Sequence, residues 1–108
     1  MLFRSTTSTE TIVRPKLAPK ENIAEPSLFN VIYMNDEQTT MEFVIESLVS
    51  VFDYSQEHAA ELTQKIHEDG SSVVAILPYE MAEQKGVEVT HLARNNGFPL
   101  TVKLEPDA

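Results

Sequence analysis

The stretch LFNVIYMNDEQTTMEFVIESLVSVF, residues 28–52, places a strand pattern directly before a helix pattern, and this succession decides the fold. Residues 28–34 are aromatic and β-branched, which is typical of a strand, and the polar residues 35–38 end that pattern. Thr39 and Glu42 fit a capping box, because the hydroxyl can accept a hydrogen bond from a first-turn N–H while the glutamate reaches back. Apolar residues then recur at helical spacing, at Met41, Val44, Ile45, Leu48, Val51 and Phe52.

The rest of the chain continues this succession of strands and helices. Ser55 fits the N-cap of a second helix that ends at Gly70, and residues 72–77 form a second strand pattern. Pro78 fits the start of a third helix, and residues 100–104 alternate apolar and polar side chains as a half-buried strand does. The apolar helix positions are Ala59, Leu62 and Ile66 in the second helix and Met81, Ala82, Val89, Leu92 and Ala93 in the third. The predicted fold is α+β in the order β-α-α-β-α-β, with a three-stranded antiparallel sheet packed against three helices.

The first part of the chain differs in composition from the rest. Residues 1–26 are rich in Thr, Ser, Glu and Lys, contain three prolines, and show no helical or strand period. Such a segment cannot bury enough apolar surface to offset the entropy lost on ordering it. We therefore expect a disordered, flexible N-terminal arm over residues 1–26 and a single core domain over residues 27–108.

Composition excludes several classes of protein. Because the chain has no cysteine, neither a disulfide framework nor a thiolate metal site can form. Residues 27–108 hold four basic side chains against fourteen acidic ones, so we expect no nucleic-acid partner and favour a positively charged protein or peptide. No apolar run reaches the ~18 residues of a membrane span, and residues 1–10 are too polar for a secretory signal. We expect no membrane partner and a cytoplasmic location.

Taken one at a time, the polar residues that stand out have ordinary structural roles. Asn35 and Asp36 fit a turn after the first strand, because both side chains bond readily to nearby backbone. His67 fits a capping or packing residue at a helix end. The sequence contains no Gly-rich phosphate loop, no nucleophile with a partnered base and no metal motif, and Asp36, Glu37 and His67 lack metal-ligand spacing. We therefore expect no catalysis, no cofactor and no metal.

Four short stretches are informative when their order and spacing are considered together. They are Asn35-Asp36-Glu37 with Thr39 and Met41-Glu42-Phe43-Val44; Ile66-His67 with Gly70; Tyr79-Glu80 with Ala82-Glu83 and Lys85; and Phe98-Pro99-Leu100. Together they resemble the ClpS family of adaptors over roughly residues 28–105. The resemblance implies a protein that captures other proteins by a bulky hydrophobic N-terminal residue and delivers them to a Clp AAA+ unfoldase-protease for degradation.

The same resemblance implies roles for particular residues. By analogy with the family, the free α-amino group of the substrate is held by Asn35, Asp36 and His67. The side chain of its first residue is enclosed by Thr39, Met41, Val44, Thr63, Ile66 and Leu100. The N-terminal domain of the Clp ATPase binds at Tyr79, Glu80 and Lys85, and the N-terminal arm acts as a handle that the unfoldase pore engages during hand-off.

The chemistry of an amine site fits these residue types. A protonated amine has three N–H donors, and an amide oxygen, a carboxylate and an imidazole nitrogen are three acceptors. The bond to the carboxylate is charge-assisted, which makes it the strongest of the three. An α-amino group has a pKa of about 7.7–8.0, so it is mostly charged at neutral pH.

Three positions depart from the family pattern. Glu37 stands where an aspartate is usual, and Thr40 stands where a proline is usual. Thr63 replaces the methionine that better-known members place against the bound side chain. Because threonine is shorter and carries a hydroxyl, we expect a smaller and wetter wall that favours Phe and Tyr and disfavours Leu and Trp.

An alternative interpretation stays open at this point. The β-α-α-β-α-β order with an acidic surface also resembles the C-terminal domain of the ribosomal stalk protein. That interpretation predicts a protein-interaction domain that binds factors and has no α-amine pocket. It leaves Asn35, Asp36 and His67 without a role, which counts against it.

Overall fold

The computed structural model describes residues 26–108, so the predicted arm lies outside the described residues except for Pro26. The elements are β1 (Leu28–Met34), α1 (Met41–Phe52), α2 (Gln56–Asp69), β2 (Ser71–Pro78), α3 (Tyr79–Asn95) and β3 (Thr101–Pro106). Strand β1 is the middle strand and pairs antiparallel with β2 on one side and with β3 on the other. The predicted element order, the antiparallel sheet and the three helices are confirmed.

The alternation of side chains along β1 turns one face of the sheet toward the helices. Val31 and Tyr33, two residues apart, are fully buried, whereas Ile32 between them is only partly buried. The β1–β2 register shifts between Val31 and Ile32, which leaves Val74 of β2 without a partner on β1. Val74 is nevertheless buried in the same core, so the irregularity adds a side chain to the packed face.

The core combines β1, β2, all three helices and one residue before β3. Its buried apolar members are Val31, Tyr33, Phe43, Val44, Leu48, Val51, Ala59, Ile66, Val74, Ala82, Val89, Ala93 and Leu100. Met41 and Met81, both predicted on apolar helix faces, are 40% and 47% exposed, so neither belongs to the buried core. Met41 shares a face of α1 with the buried Leu48, so its exposure reflects its place as the first residue of the helix, whereas Met81 lies roughly 100° around α3 from the buried Ala82.

A buried polar pair ties the sheet to α1. The hydroxyl oxygens of Tyr33 and Ser47 lie 2.8 Å apart, and both residues are fully buried. Ser47 Oγ donates its proton to the carbonyl oxygen of Val44 at 2.8 Å, so the Tyr33 hydroxyl is the donor to Ser47. Burial raises the pKa of Tyr33 by more than the hydrogen bond to Ser47 lowers it. The phenol therefore stays neutral.

Substituting Ser47 by alanine is expected to lower the free energy of unfolding by about 1–3 kcal/mol, because the Tyr33 hydroxyl then stays buried without an acceptor. The double variant Tyr33→Phe, Ser47→Ala removes both polar groups and should recover most of that loss. Urea unfolding of the two variants and the parent measures the difference. Equal stability of the single and double variants would show that the hydroxyl finds another partner.

The start of α1 and the end of α2 lie next to residues of the predicted site. Thr40, not Thr39, is the N-cap of α1, and its Oγ1 accepts from the N–H of Phe43 at 3.1 Å. The predicted capping box at Thr39 is therefore wrong, because the Thr39 hydroxyl is already bonded to Asp36. At the end of α2, Gly70 adopts a left-handed conformation with φ of 89°. This conformation is common for the glycine that ends a helix, which is the role predicted for Gly70.

Candidate functional site

Asp36 is held in a fixed position in the turn after β1. Its Oδ1 accepts hydrogen bonds from the N–H of Gln38 at 2.8 Å and of Thr39 at 2.7 Å. Its Oδ2 accepts from the hydroxyl of Thr39, also at 2.7 Å. A carboxylate has about four acceptor positions, so one position on Oδ2 has no partner among the described residues. The side chain can therefore accept one more donor without moving.

These contacts also keep Asp36 ionised. Partial burial raises the pKa of the carboxyl group, but the hydrogen bonds from Thr39 and Gln38 and the positive charge of Arg94 outweigh it. The net result is a pKa below the ordinary value of an aspartate. A negative charge is thus present at neutral pH beside a vacant acceptor position, which is the arrangement that attracts a cation such as a protonated amine.

Asn35 and His67 lie at the same end of the fold as Asp36. The N–H of Asn35 donates to the carbonyl oxygen of Gly70 at 2.9 Å, which joins the end of β1 to the end of α2. His67 belongs to the last turn of α2, three residues before Gly70, and both Asn35 and His67 are exposed. The predicted amine-binding residues therefore belong to the ends of β1 and α2, which this backbone hydrogen bond joins.

The predicted side-chain wall consists of a buried part and an accessible part. Val44, Thr63, Ile66 and Leu100 are buried, whereas Thr39 is half-buried and Met41 is exposed. Three of the buried residues, Val44, Ile66 and Leu100, belong to the same apolar core cluster. The hydroxyl of Thr63 donates to the carbonyl oxygen of Ala59 at 2.7 Å, so its proton is already used within α2. The accessible part of the predicted wall is thus Met41 with Thr39.

The short connector between α3 and β3, residues 96–100, contains Leu100 of the predicted wall. Nη1 of Arg94, in the last turn of α3, donates to the carbonyl oxygens of Phe98 and Leu100, both at 2.9 Å. The ring of Phe98 packs against that of Phe43 in α1, with the ring centroids 5.1 Å apart. Arg94 was not predicted from the sequence, although a basic residue in the last turn of a helix often bonds the carbonyl oxygens at its end.

The residues predicted to contact a Clp ATPase are divided between two places. Tyr79 and Glu80, at the start of α3, line a cleft of about 360 Å³ together with Pro26, Ser27 and Pro78. Both side chains are exposed, and the Tyr79 ring packs edge-on against Phe29 at 5.0 Å between centroids. Lys85 is instead tied to α1, because its Nζ donates to the carbonyl oxygen of Val51 at 2.9 Å.

Among residues 26–108, no group of three or more His, Asp or Glu side chains is placed to hold a metal ion. None of the described helices has the length and apolar character needed to cross a membrane.

Comparisons with known proteins agree on one family. The family model described as "ATP-dependent Clp protease adaptor protein ClpS" matches residues 24–103. The ClpS adapter protein of Clostridium acetobutylicum is 37% identical over 97 residues, covering 90% of this chain and 96% of the relative. That of Nautilia profundicola is 44% identical over 84 residues, covering 77% of this chain and 86% of the relative.

A solved structure is similar as well. It is the structure of Agrobacterium tumefaciens ClpS2 bound to L-phenylalaninamide, with a TM-score of 0.75 and 36% sequence identity. The similarity covers 77% of this chain and 100% of that chain. Since sequence and structure lead to the same family, the ribosomal-stalk alternative is set aside.

Proposed function

Since this chain belongs to the ClpS family of adaptor proteins of the ATP-dependent Clp protease, we propose that it captures proteins by a bulky hydrophobic N-terminal residue. As a ClpS adaptor it is not an enzyme. We propose that it prefers Phe or Tyr as the first residue of the substrate and binds Leu and Trp less well. It delivers these proteins to a Clp ATPase in the cytoplasm.

The observation that carries this proposal is the state of Asp36. Its carboxylate is ionised, fixed by three hydrogen bonds and open at one acceptor position. A protonated α-amine matches it in charge and in hydrogen-bonding, and the exposed side chains of Asn35 and His67 lie at the same end of the fold to supply the second and third acceptors. The L-phenylalaninamide bound by the Agrobacterium relative carries the same two features, a free α-amine and an aromatic side chain.

The apolar half of the ligand has a matching surface. Met41 is an exposed apolar side chain at the start of α1, and Thr39 beside it is half-buried. We propose that the first side chain of the substrate packs on Met41 and against the core residues Val44, Ile66 and Leu100. Burying an aromatic side chain in this way is worth about 1.5–3 kcal/mol.

A panel of peptides that differ only at the first residue tests the proposal. In a fluorescence titration, Phe- and Tyr-initiated peptides should bind about ten- to a hundredfold more tightly than an Ala-initiated one, which buries far less apolar surface. Leu- and Trp-initiated peptides should lie between these limits because of Thr63. The variant Thr63→Met should bring Leu and Trp closer to Phe.

Two outcomes of the panel have different meanings. Equal binding of the Phe- and Ala-initiated peptides would refute the proposed function. If Leu, Trp, Phe and Tyr all bind within a factor of a few while Ala is excluded, only the effect assigned to Thr63 is wrong.

For the Clp ATPase, we propose a docking surface formed by Tyr79 and Glu80 at the start of α3, with Lys85 bordering it. Tyr79 and Glu80 are exposed and line one cleft, so a partner can reach both. Lys85 also has a structural task, since its ammonium group bonds the last turn of α1. A variant of Lys85 would therefore disturb folding and docking together, and Glu80 is the sharper probe.

The variant Glu80→Lys should weaken docking to the N-terminal domain of the ATPase about tenfold or more, because it reverses a charge within the contact. The affinity for a Phe-initiated peptide should stay within about twofold, since Asp36 lies at the opposite end of β1, beyond Met34. Glu88→Lys, a second exposed residue of α3, makes the same change in net charge and serves as the control. Loss of peptide binding in Glu80→Lys would contradict the separation of the two surfaces.

A further inference from the structure

Arg94 makes two hydrogen bonds to the connector between α3 and β3. Both protons of its Nη1 are used, one on the carbonyl oxygen of Phe98 and one on that of Leu100, at 2.9 Å each. These carbonyl groups lie on either side of Pro99, in the connector that leads to β3. The guanidinium group therefore fixes the course of the backbone at the residue that the proposed pocket uses as a wall.

The connector contains a tight turn and a residue without a backbone donor. After α3 the chain turns at Gly97, which has a left-handed φ of 79°. The N–H of Phe98 reaches back to the carbonyl oxygen of Ala93, but Pro99 has no N–H to donate. The contacts from Arg94 thus supply what the backbone of this segment cannot. A planar guanidinium group with paired donors suits two neighbouring carbonyl oxygens better than an ammonium group does.

Arg94 is also linked to the other half of the proposed pocket. Its positive charge contributes, after the hydrogen bonds from Thr39 and Gln38, to lowering the pKa of Asp36 against the effect of partial burial. The same guanidinium group therefore bonds the carbonyl oxygen of Leu100 and lies near enough to Asp36 for their opposite charges to attract.

We propose that Arg94 is a positioning residue of the substrate site, whose guanidinium group holds the Phe98–Leu100 connector so that Leu100 completes the wall beside Asp36. The proposal rests on the proposed function, because it assumes that a substrate side chain packs against Leu100. It assigns specificity for a large first residue partly to a side chain that does not touch the substrate.

The test is a competition titration of the full chain, with a fluorescent Phe-initiated peptide as the probe and unlabelled Phe- and Ala-initiated peptides as competitors. In Arg94→Gln, the ratio of the Phe affinity to the Ala affinity should fall about tenfold, because only the aromatic side chain reaches the wall. A purely structural role would scale both affinities by the folded fraction and leave their ratio unchanged.

A second variant keeps the test decisive if Arg94→Gln folds poorly. Arg94→Lys keeps a cation and donors at the end of α3 but lacks the planar guanidinium group, so its ratio should also stay reduced. Lys103→Gln, on the exposed side of β3, makes the same change in net charge as Arg94→Gln and should keep the ratio of the parent protein.

The outcomes distinguish this proposal from the one on which it rests. A parental ratio in Arg94→Lys or in Arg94→Gln overturns the positioning role, and so does an equal fall in Lys103→Gln. If the parent protein itself does not distinguish Phe from Ala, the proposed function is wrong, and the role of Arg94 falls with it.

Discussion

Acetylation of the α-amino group of a Phe-initiated peptide is expected to weaken its binding at least about a hundredfold. The acetyl group removes the positive charge and leaves one N–H donor where the amine had three. At least two hydrogen bonds that involve a charged group are lost, each worth about 1.5–3 kcal/mol. Asp36 would then keep its open acceptor position and its charge without a cation. Titration of the free and acetylated forms of one peptide measures the difference.

Variants of the protein assign this loss to a residue. Asp36→Asn removes the charge and should reduce the affinity for the free peptide strongly while changing that for the acetylated peptide little. Glu105→Gln, an exposed carboxylate of β3, makes the same change in net charge and is the matched control. If the free and acetylated peptides bind equally well to the parent protein, Asp36 has no amine to hold and the adaptor site lies elsewhere.

The pH dependence of binding follows from the same groups. The lowered pKa of Asp36 keeps its carboxylate charged from neutral pH down into the acid range, so the negative partner is not lost on mild acidification. The α-amine loses its proton above a pH of about 7.7–8.0, and binding of the free peptide should weaken there. Binding of the acetylated peptide should show no such fall at alkaline pH, which makes it the internal reference.

The elements were predictable because their signals are local. The predicted range of β1, residues 28–34, agrees with the structure, and Ser55 and Gly70 delimit α2 as expected. Periodicity was less reliable at helix ends. Met41 and Met81 fit the apolar pattern by spacing, but both are exposed, Met41 because it is the first residue of its helix and Met81 because it lies beside the buried face of α3 rather than on it.

The site was predictable in its residue types rather than in its contacts. A turn at Asn35 and Asp36 follows from the sequence, yet the three bonds that fix the Asp36 carboxylate depend on the local backbone path. The contact of Lys85 with the last turn of α1 spans 34 residues and could not be inferred from spacing. Arg94 was missed for a related reason, since its contacts depend on how the connector folds back over the end of α3.

The start of the described chain bears on how a captured substrate is handed over. Pro26 and Ser27 line the same cleft as Tyr79 and Glu80, so the described part of the chain begins beside the proposed docking surface. A substrate held only by its first residue must still pass from the pocket to the unfoldase. If residues 1–26 act as a flexible tether, as the sequence predicts, their root-mean-square reach is about 25–30 Å. Such a tether, starting beside a docked ATPase, is long enough to extend toward its pore.

Deletion of residues 1–20 is therefore expected to abolish the adaptor-stimulated degradation of a Phe-initiated reporter protein. Peptide affinity and ATPase docking should stay almost unchanged, because Asp36, Tyr79 and Glu80 all lie in the retained domain. The measurement is turnover by the purified protease with full-length or truncated adaptor, each at a saturating concentration, so that a small change in docking cannot mimic the effect. Undiminished turnover with the truncated adaptor would mean that the segment is a passive tail and that docking alone brings the substrate to the pore.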